Sequence, residues 1–111
     1  MESGEIWLVS FSPSVGDEIK KTRPAVIINN SELGALDLHI VVPITDSKKV
    51  VRDWHIKVTP TATNGLKKPS LVDCFQIHCF AEARFQKKIG VLAVKDLESV
   101  KVCLATVLDL L

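Results

Sequence analysis

No stretch of this sequence approaches the roughly 20 consecutive apolar residues that a membrane-spanning helix needs. The first residues, Met1-Glu2-Ser3-Gly4-Glu5, also lack the basic-then-apolar order of a secretory leader. Both absences predict a cytoplasmic protein with no membrane contact. Cysteine is scarce: Cys74, Cys79 and Cys103 are odd in number and have no Cys-x-x-Cys spacing, which argues against a disulfide framework or a zinc centre and predicts buried, inert thiols. There is no glycine-rich phosphate loop, no His-x-x-x-His pair, no Gly-x-Ser-x-Gly elbow, no internal repeat and no low-complexity tract. A doubly wound nucleotide-binding fold is thereby excluded, and no metal or cofactor is expected.

What remains is an ordinary globular composition: 111 residues, 47% hydrophobic and 24% charged. That length predicts one domain over residues 1–111. A domain so small leaves much of its surface in water, and small enzymes of this size often complete a cleft with a second copy, so a homodimer is expected. The net charge of +1 conceals an uneven distribution. Residues 1–46 hold three basic and seven acidic side chains, residues 47–94 nine and three, and residues 95–111 two and three. A basic middle third suits either an anionic partner or a solvated lysine-rich surface.

The apolar residues come in short blocks. Ile6–Phe11, Pro24–Ile28, Leu38–Ile44, Trp54–Val58, Leu71–Phe80 and Lys87–Leu92 read as strands, being rich in β-branched and aromatic residues and bounded by turn formers. Asn64-Gly65 is a hairpin-type turn signal. From Val94 the period changes: Leu97, Val100, Leu104, Val107, Leu108 and Leu111 recur at three and four, predicting an amphipathic helix whose cap position, Ala93, has no side-chain oxygen. Its start should fray or be held by tertiary contacts. The expected fold is mainly β with a C-terminal helix, an α+β arrangement built on a small barrelled or twisted antiparallel sheet.

One segment bears on chemistry. In Gly16-Asp17-Glu18-Ile19-Lys20-Lys21-Thr22-Arg23-Pro24-Ala25-Val26-Ile27-Ile28, a polar loop delivers Arg23 to the start of an apolar strand. A guanidinium offers five donors in a planar fork that matches phosphate oxygens, although Arg23 could equally pair with Asp17 or Glu18 in a structural ion pair. Pro43-Ile44-Thr45-Asp46-Ser47-Lys48-Lys49 places a hydroxyl and two lysines past the end of the next strand, where a threonine is also a common turn former. Trp7 reads as a core residue. Trp54 adjoins Lys48, Lys49 and Arg52, where stacking on a base and packing are both open.

Gly4-Glu5-Ile6-Trp7, Gly16-Asp17-Glu18, Thr22-Arg23-Pro24-Ala25-Val26-Ile27, Val42-Pro43-Ile44-Thr45, Gly65-Leu66-Lys67-Lys68-Pro69-Ser70 and Cys74-Phe75-Gln76-Ile77, in this order and spacing, resemble the MazF/PemK family of toxin endoribonucleases. The resemblance spans residues 4–77 and implies an SH3-like barrel of the MazF/PemK/CcdB type. It further implies a homodimer, an antitoxin partner, and metal-independent cleavage of single-stranded RNA, commonly messenger RNA, that inhibits translation and growth. It implies catalytic roles for Arg23 and Thr45. Because a guanidinium keeps its proton in proteins, Arg23 suits phosphate binding and transition-state charge better than general base catalysis.

RNA contact is assigned to Glu18, Lys20, Lys21, Lys48, Lys49, Arg52, Lys67, Lys68 and Gln76, with base preference expected in the loops at residues 12–22, 46–53 and 60–69. The chain departs from the family in two places. Many members carry aspartate immediately before Gln-Ile, proposed in some as the base, where this chain has Phe75; and His78-Cys79 stands where many have a basic residue. His78 is then a possible substitute base, with His39 and His55 as further histidines, although a histidine in an apolar strand is more often structural. A non-catalytic binding module or a gyrase-binding toxin of the same fold is the competing reading, and Arg23 with Thr45 favours the enzyme.

Overall fold

The computed structural model describes residues 1–33, 36–48 and 50–111. Seven strands and one α-helix follow in chain order: β1 (Glu5–Ser10), β2 (Thr22–Ile27), β3 (Leu38–Asp46), β4 (His55–Val58), β5 (Ser70–Asp73), β6 (His78–Ala81), β7 (Phe85–Val91) and α1 (Val94–Val107), with a short 3-10 turn at Glu82–Arg84. The antiparallel order is β4-β5-β3-β2-β1-β7, with β6 also on β3. The nine residues of β3 let it serve β2 along one edge, and β6 then β5 along the other.

The expected single strand at residues 71–80 is two strands. Ile44 pairs with Val72 but Val41 with His78, so the residues between β5 and β6 leave the ladder. Asp73 causes the break: its Oδ1 accepts the Phe75 N–H at 3.0 Å, an aspartate turn that competes with strand hydrogen bonding.

Asn64-Gly65 is not a tight hairpin turn either. β4 and β5 do pair, but through a connection at residues 59–69 built around the buried Asn64 side chain. Asn64 Oδ1 accepts from the Thr61 and Leu66 N–H groups, each at 3.0 Å, while Nδ2 donates to the Thr59 carbonyl at 2.9 Å. Gly65 (φ +69°) lies against the Ile89 carbonyl and Gly90 against the Asn64 carbonyl, so a Cβ at either position would collide with backbone. The Val91 N–H donates to the Thr63 carbonyl at 2.9 Å, and this loop contact joins the two ends of the sheet into a barrel.

Alternation sorts the sheet into two faces. Ile6, Val26, Val42, Ile44, Val58 and Val72 point to one and pack with Val100, Cys103 and Leu104 of α1. Val9, Ala25, Ile27 and Val41 point to the other and pack with Phe11 and Ile19 from the β1–β2 loop. The Gly-Glu-Ile-Trp segment has a structural reason: the Trp7 indole N–H donates to Glu5 Oε1 at 2.8 Å, and Lys88 Nζ stands 3.5 Å from Oε2. Burial pushes the Glu5 carboxyl up, but the Trp7 bond, a backbone bond from Glu2 and the Lys88 charge outweigh it and hold the group below its ordinary range. Trp7 meets Phe85 edge to face at 6.2 Å, a packing role as expected.

Ala93 gives α1 no side-chain cap, and the entry is held instead by buried Leu92, whose N–H donates to the Gly4 carbonyl at 2.8 Å. The far end differs from expectation. Asp109 adopts φ 57° and the Leu110 N–H returns to the Ala105 carbonyl at 2.8 Å, a left-handed stop that takes Leu111 off the apolar stripe; Leu108, whose N–H still donates to the Leu104 carbonyl, is exposed as well. Cys74 and Cys103 are buried, as expected, and burial together with the neighbouring Cys103 thiol raises the Cys74 thiol. Cys79 is exposed, because β6 turns that residue away from the second apolar cluster.

Candidate active site

Arg23 is the second residue of β2, opposite Val9 of β1, and its side chain therefore belongs to the Ala25–Ile27 face. Thr45 lies on the same face: Ala25 pairs with Pro43, and two further steps in that register set Arg23 across from Thr45. The ion pair weighed for Arg23 does not form. It is exposed, it has no carboxylate partner among the described residues, and its one side-chain bond runs from Nε to the Lys20 carbonyl at 3.4 Å. Thr45 is held in β3 opposite Leu71, buried to 6% exposure, and its hydroxyl makes no hydrogen bond among the described residues. A guanidinium and a hydroxyl, neither with a side-chain partner among the described residues, thus lie on one face two register steps past the last β2–β3 pair.

The β1–β2 loop that precedes Arg23 is braced from the β5–β6 connection. Gln76 Oε1 accepts the Ile19 N–H at 2.6 Å while its Nε2 donates to the Asp17 carbonyl at 3.4 Å and to Asp73 Oδ2 at 3.5 Å. Asp73 is also 3.8 Å from His55 Nε2, and His55 Nδ1 accepts the Arg52 N–H at 2.9 Å. Gln76, assigned above to RNA, therefore already spends its amide on positioning the loop. Glu18 caps that loop by accepting the Val15 N–H at 2.7 Å. Lys21 sits in the left-handed region at φ 66°, an uncommon backbone state for a side-chain-bearing residue, two positions before Arg23.

The lysines separate by face. Lys20, Lys21, Lys48 and Arg52 are exposed on the loops flanking Arg23 and Thr45; Lys49 lies outside the described residues. Lys67 and Lys68 do not join them. With Lys87 they line a groove of about 550 Å³ floored by Leu8, Pro24 and Ile89, residues of the opposite face, and Lys68 Nζ is tied to Asp46 Oδ2 at 3.1 Å. Backbone bonding from Lys48 and the Lys68 contact hold the Asp46 carboxyl below its usual range. Sequence reasoning passed over Lys57. It is exposed, pairs with Leu71, and so continues the row Lys57, Leu71, Thr45 across three strands, about 10 Å from Thr45 at ordinary strand spacing. The alternation of Trp54, Ile56 and Val58 with His55 and Lys57 was the available signal.

Each histidine is engaged by its neighbours or set away from Thr45. His78 Nδ1–H donates to the Gln76 carbonyl at 2.9 Å and the ring packs against Phe11 and Phe80 at 5.1 and 4.9 Å. His55 is held by Asp73, and His39 lies at the far end of β3. Phe75, by contrast, is 61% exposed beside Trp54 at 5.4 Å, and with Asp17, Glu18 and Gln76 it lines a cavity of about 390 Å³.

Residues 2–108 match the model of the PemK-like, MazF-like toxins of type II toxin–antitoxin systems. The chain belongs to this family. Among curated relatives it is 30% identical to endoribonuclease MazF9 of Mycobacterium tuberculosis over 116 residues, covering 99% of this chain and 98% of the relative. MazF of Deinococcus radiodurans superposes with a TM-score of 0.82 at 19% identity, over 98% and 96% of the two chains. An endoribonuclease from a mycobacterial species in complex with its cognate antitoxin gives 0.79 at 13% identity, over 100% and 97%. The toxin's mainly antiparallel sheet with one C-terminal helix is thus the fold of these MazF structures.

Proposed function

We propose that this toxin is an endoribonuclease that cleaves single-stranded RNA, including messenger RNA, with no metal in the reaction, and so stops translation and growth in the cytoplasm. The observation that carries the reading is Arg23, free of any described carboxylate and in register with Thr45. The 2′-oxygen of one ribose attacks its own 3′-phosphorus, the P–O5′ bond breaks, the 2′-hydroxyl proton leaves and the departing 5′-oxygen gains one. Charge accumulates on the non-bridging oxygens in the transition state. Two parallel N–H groups of Arg23 and the Thr45 hydroxyl meet it there, supplying the cation that such chemistry otherwise takes from a metal. The enzyme reading of the curated relative, named an endoribonuclease, supports catalysis over a binding module.

The test is incubation of purified toxin with mixed RNA in excess chelator, followed by mapping of the new ends. Cleavage leaving a 2′,3′-cyclic phosphate and a 5′-hydroxyl is expected; inactivity in chelator, or cutting of an all-DNA strand, overturns it.

RNA runs along the Arg23–Thr45 face, with phosphates at Lys20, Lys21, Lys48, Arg52 and Lys57 and a base beside Phe75 and Glu18. Because each neutralised phosphate releases counterions, Lys57→Ala should lower the slope of log affinity against log salt by about 1 for a non-cleavable RNA. Lys67→Ala, on the opposite face, should leave it unchanged, and the reverse ranking would move the RNA path to the lysine groove.

Residues 1–111 act as one domain, and two copies form the working homodimer. Exposed Leu38 and Ile40 on β3, with Leu33 and Leu36 before it, supply apolar surface for that contact. Light scattering at micromolar concentration should give twice the chain mass; a monomer with full activity excludes the dimer. The cognate antitoxin then competes with RNA by offering carboxylates where phosphates bind.

A further inference from the structure

Asp37, His39 and Glu82 meet at the end of β3 farthest from Thr45. Leu38 pairs with Ala81 and His39 with Phe80, so the same register sets Asp37 opposite Glu82, whose N–H donates to the Asp37 carbonyl at 3.3 Å. Two carboxylates facing each other across a ladder repel unless a cation lies between them. Here their oxygens and a His39 ring nitrogen all lie within 4.8 Å of one another. An independent observation comes from His39 itself. Its Nε2 is buried without a hydrogen-bond partner among the described residues, and the facing Glu82 Oε2 stands 3.6 Å away, beyond hydrogen-bond length. Edge-on packing against Phe85 at 5.3 Å fixes the ring, so the orphaned nitrogen keeps its aim at the carboxylates.

We propose that Asp37, His39 and Glu82 form a zinc(II) site, with water completing the coordination. One imidazole nitrogen and two carboxylate oxygens are ordinary zinc ligands, and bonds of about 2.1 Å set tetrahedral ligand atoms about 3.4 Å apart. The 3.6 Å between His39 Nε2 and Glu82 Oε2 nearly matches that edge, and the exposed carboxylates close the remainder by side-chain rotation. The imidazole selects against magnesium and calcium, which take oxygen donors. Zinc would cross-link the start of β3 to the end of β6 and relieve both the carboxylate repulsion and the orphaned nitrogen. Six residues separate His39 from Thr45, about 20 Å along a strand, so the site is structural and stands apart from RNA cleavage. The sequence concealed it because Glu82 is far from Asp37 and His39 in the chain.

The test titrates zinc chloride into chelator-stripped toxin at pH 7.5, followed by calorimetry and thermal melting. One zinc per chain and a rise in Tm are expected, with no response to magnesium. Glu82→Gln and Asp37→Asn, both on exposed side chains, should keep the fold and weaken zinc binding by more than about tenfold. Cys79→Ser should leave it unchanged, since the exposed thiol is the competing ligand. Absence of binding to the unaltered toxin, binding that survives Glu82→Gln, or binding lost in Cys79→Ser overturns the site. RNA cleavage measured alongside should persist in chelator while Tm falls, which separates this site from the RNA chemistry.

Discussion

Arg23→Ala lowers kcat for RNA cleavage by about a thousandfold while the protein stays folded. Removing one preorganised donor from a developing oxyanion costs about 10²–10³-fold in known enzymes, and a charged fork lies at the upper end of that range. Folding should survive because Arg23 is exposed and its only side-chain bond among the described residues is the 3.4 Å contact to Lys20. Thr45→Val, which keeps the buried shape of Thr45 and removes its hydroxyl, should cost about thirtyfold, since a neutral hydrogen bond is worth roughly half a charge-assisted one. Arg23→Lys should recover part of the loss by returning the charge without the bidentate geometry. The measurements are single-turnover cleavage of one RNA and circular dichroism of each variant. Equal losses for Arg23→Ala and Thr45→Val, or unfolding of Arg23→Ala, would contradict the assignment.

The parts of the fold legible in the sequence are those governed by local pattern. Short β-branched and aromatic blocks bounded by turn formers located β1, β2, β3 and β7, alternation located β4, and the change to a spacing of three and four located α1. The sequence reading failed where a side chain overrode the local pattern. Asp73 splits an apolar run that otherwise reads as one strand, because its carboxylate captures the Phe75 N–H. Asn64-Gly65 carries the composition of a tight turn, yet Asn64 is buried and organises a longer connection whose purpose is to meet β7. No local signal distinguishes a turn that faces solvent from one that closes a barrel. Leu111 continues the helical spacing on paper, and only the left-handed Asp109 shows that the helix has already stopped.

The residues alone left Arg23 open between phosphate and an ion pair and Thr45 open between a site and a turn, and the family resemblance carried the choice. Pairing register then decides which lysines share their face. Lys67 and Lys68 form a basic pair that suggests RNA contact, whereas Pro24 and Leu8 beside them belong to the opposite side of the sheet. Lys57 was hidden for the converse reason: an isolated lysine in a strand reads as solvated surface until β4, β5 and β3 are laid side by side. Gln76 illustrates a third limit, since a polar residue after a turn looks available to ligand, and only the contact with Ile19 shows that it serves the loop.

A single 2′-deoxyribose at the cleaved position should abolish cleavage at that bond. Arg23 and Thr45 can bind the phosphate of such a strand as before, because neither contact requires the sugar hydroxyl in the ground state. Only the nucleophile is missing, and neither residue supplies one: a guanidinium holds its proton, and no base that would activate the Thr45 hydroxyl is hydrogen-bonded to it among the described residues. The deoxy-substituted strand should therefore act as a competitive inhibitor, with Ki close to the KM of the all-ribose RNA where chemistry limits turnover. This separates the proposed route from attack by activated water, for which the 2′-hydroxyl is dispensable and a deoxy substitution would leave cutting largely intact. The separation is sharpest in the product: internal attack joins O2′ to phosphorus, so cleavage in ¹⁸O-enriched water should place no label in the first-formed cyclic phosphate. Residual cutting at the substituted position, or label in a linear 3′-phosphate formed without a cyclic precursor, would assign the nucleophile to water and reopen the search for a base around Asp73 and His55.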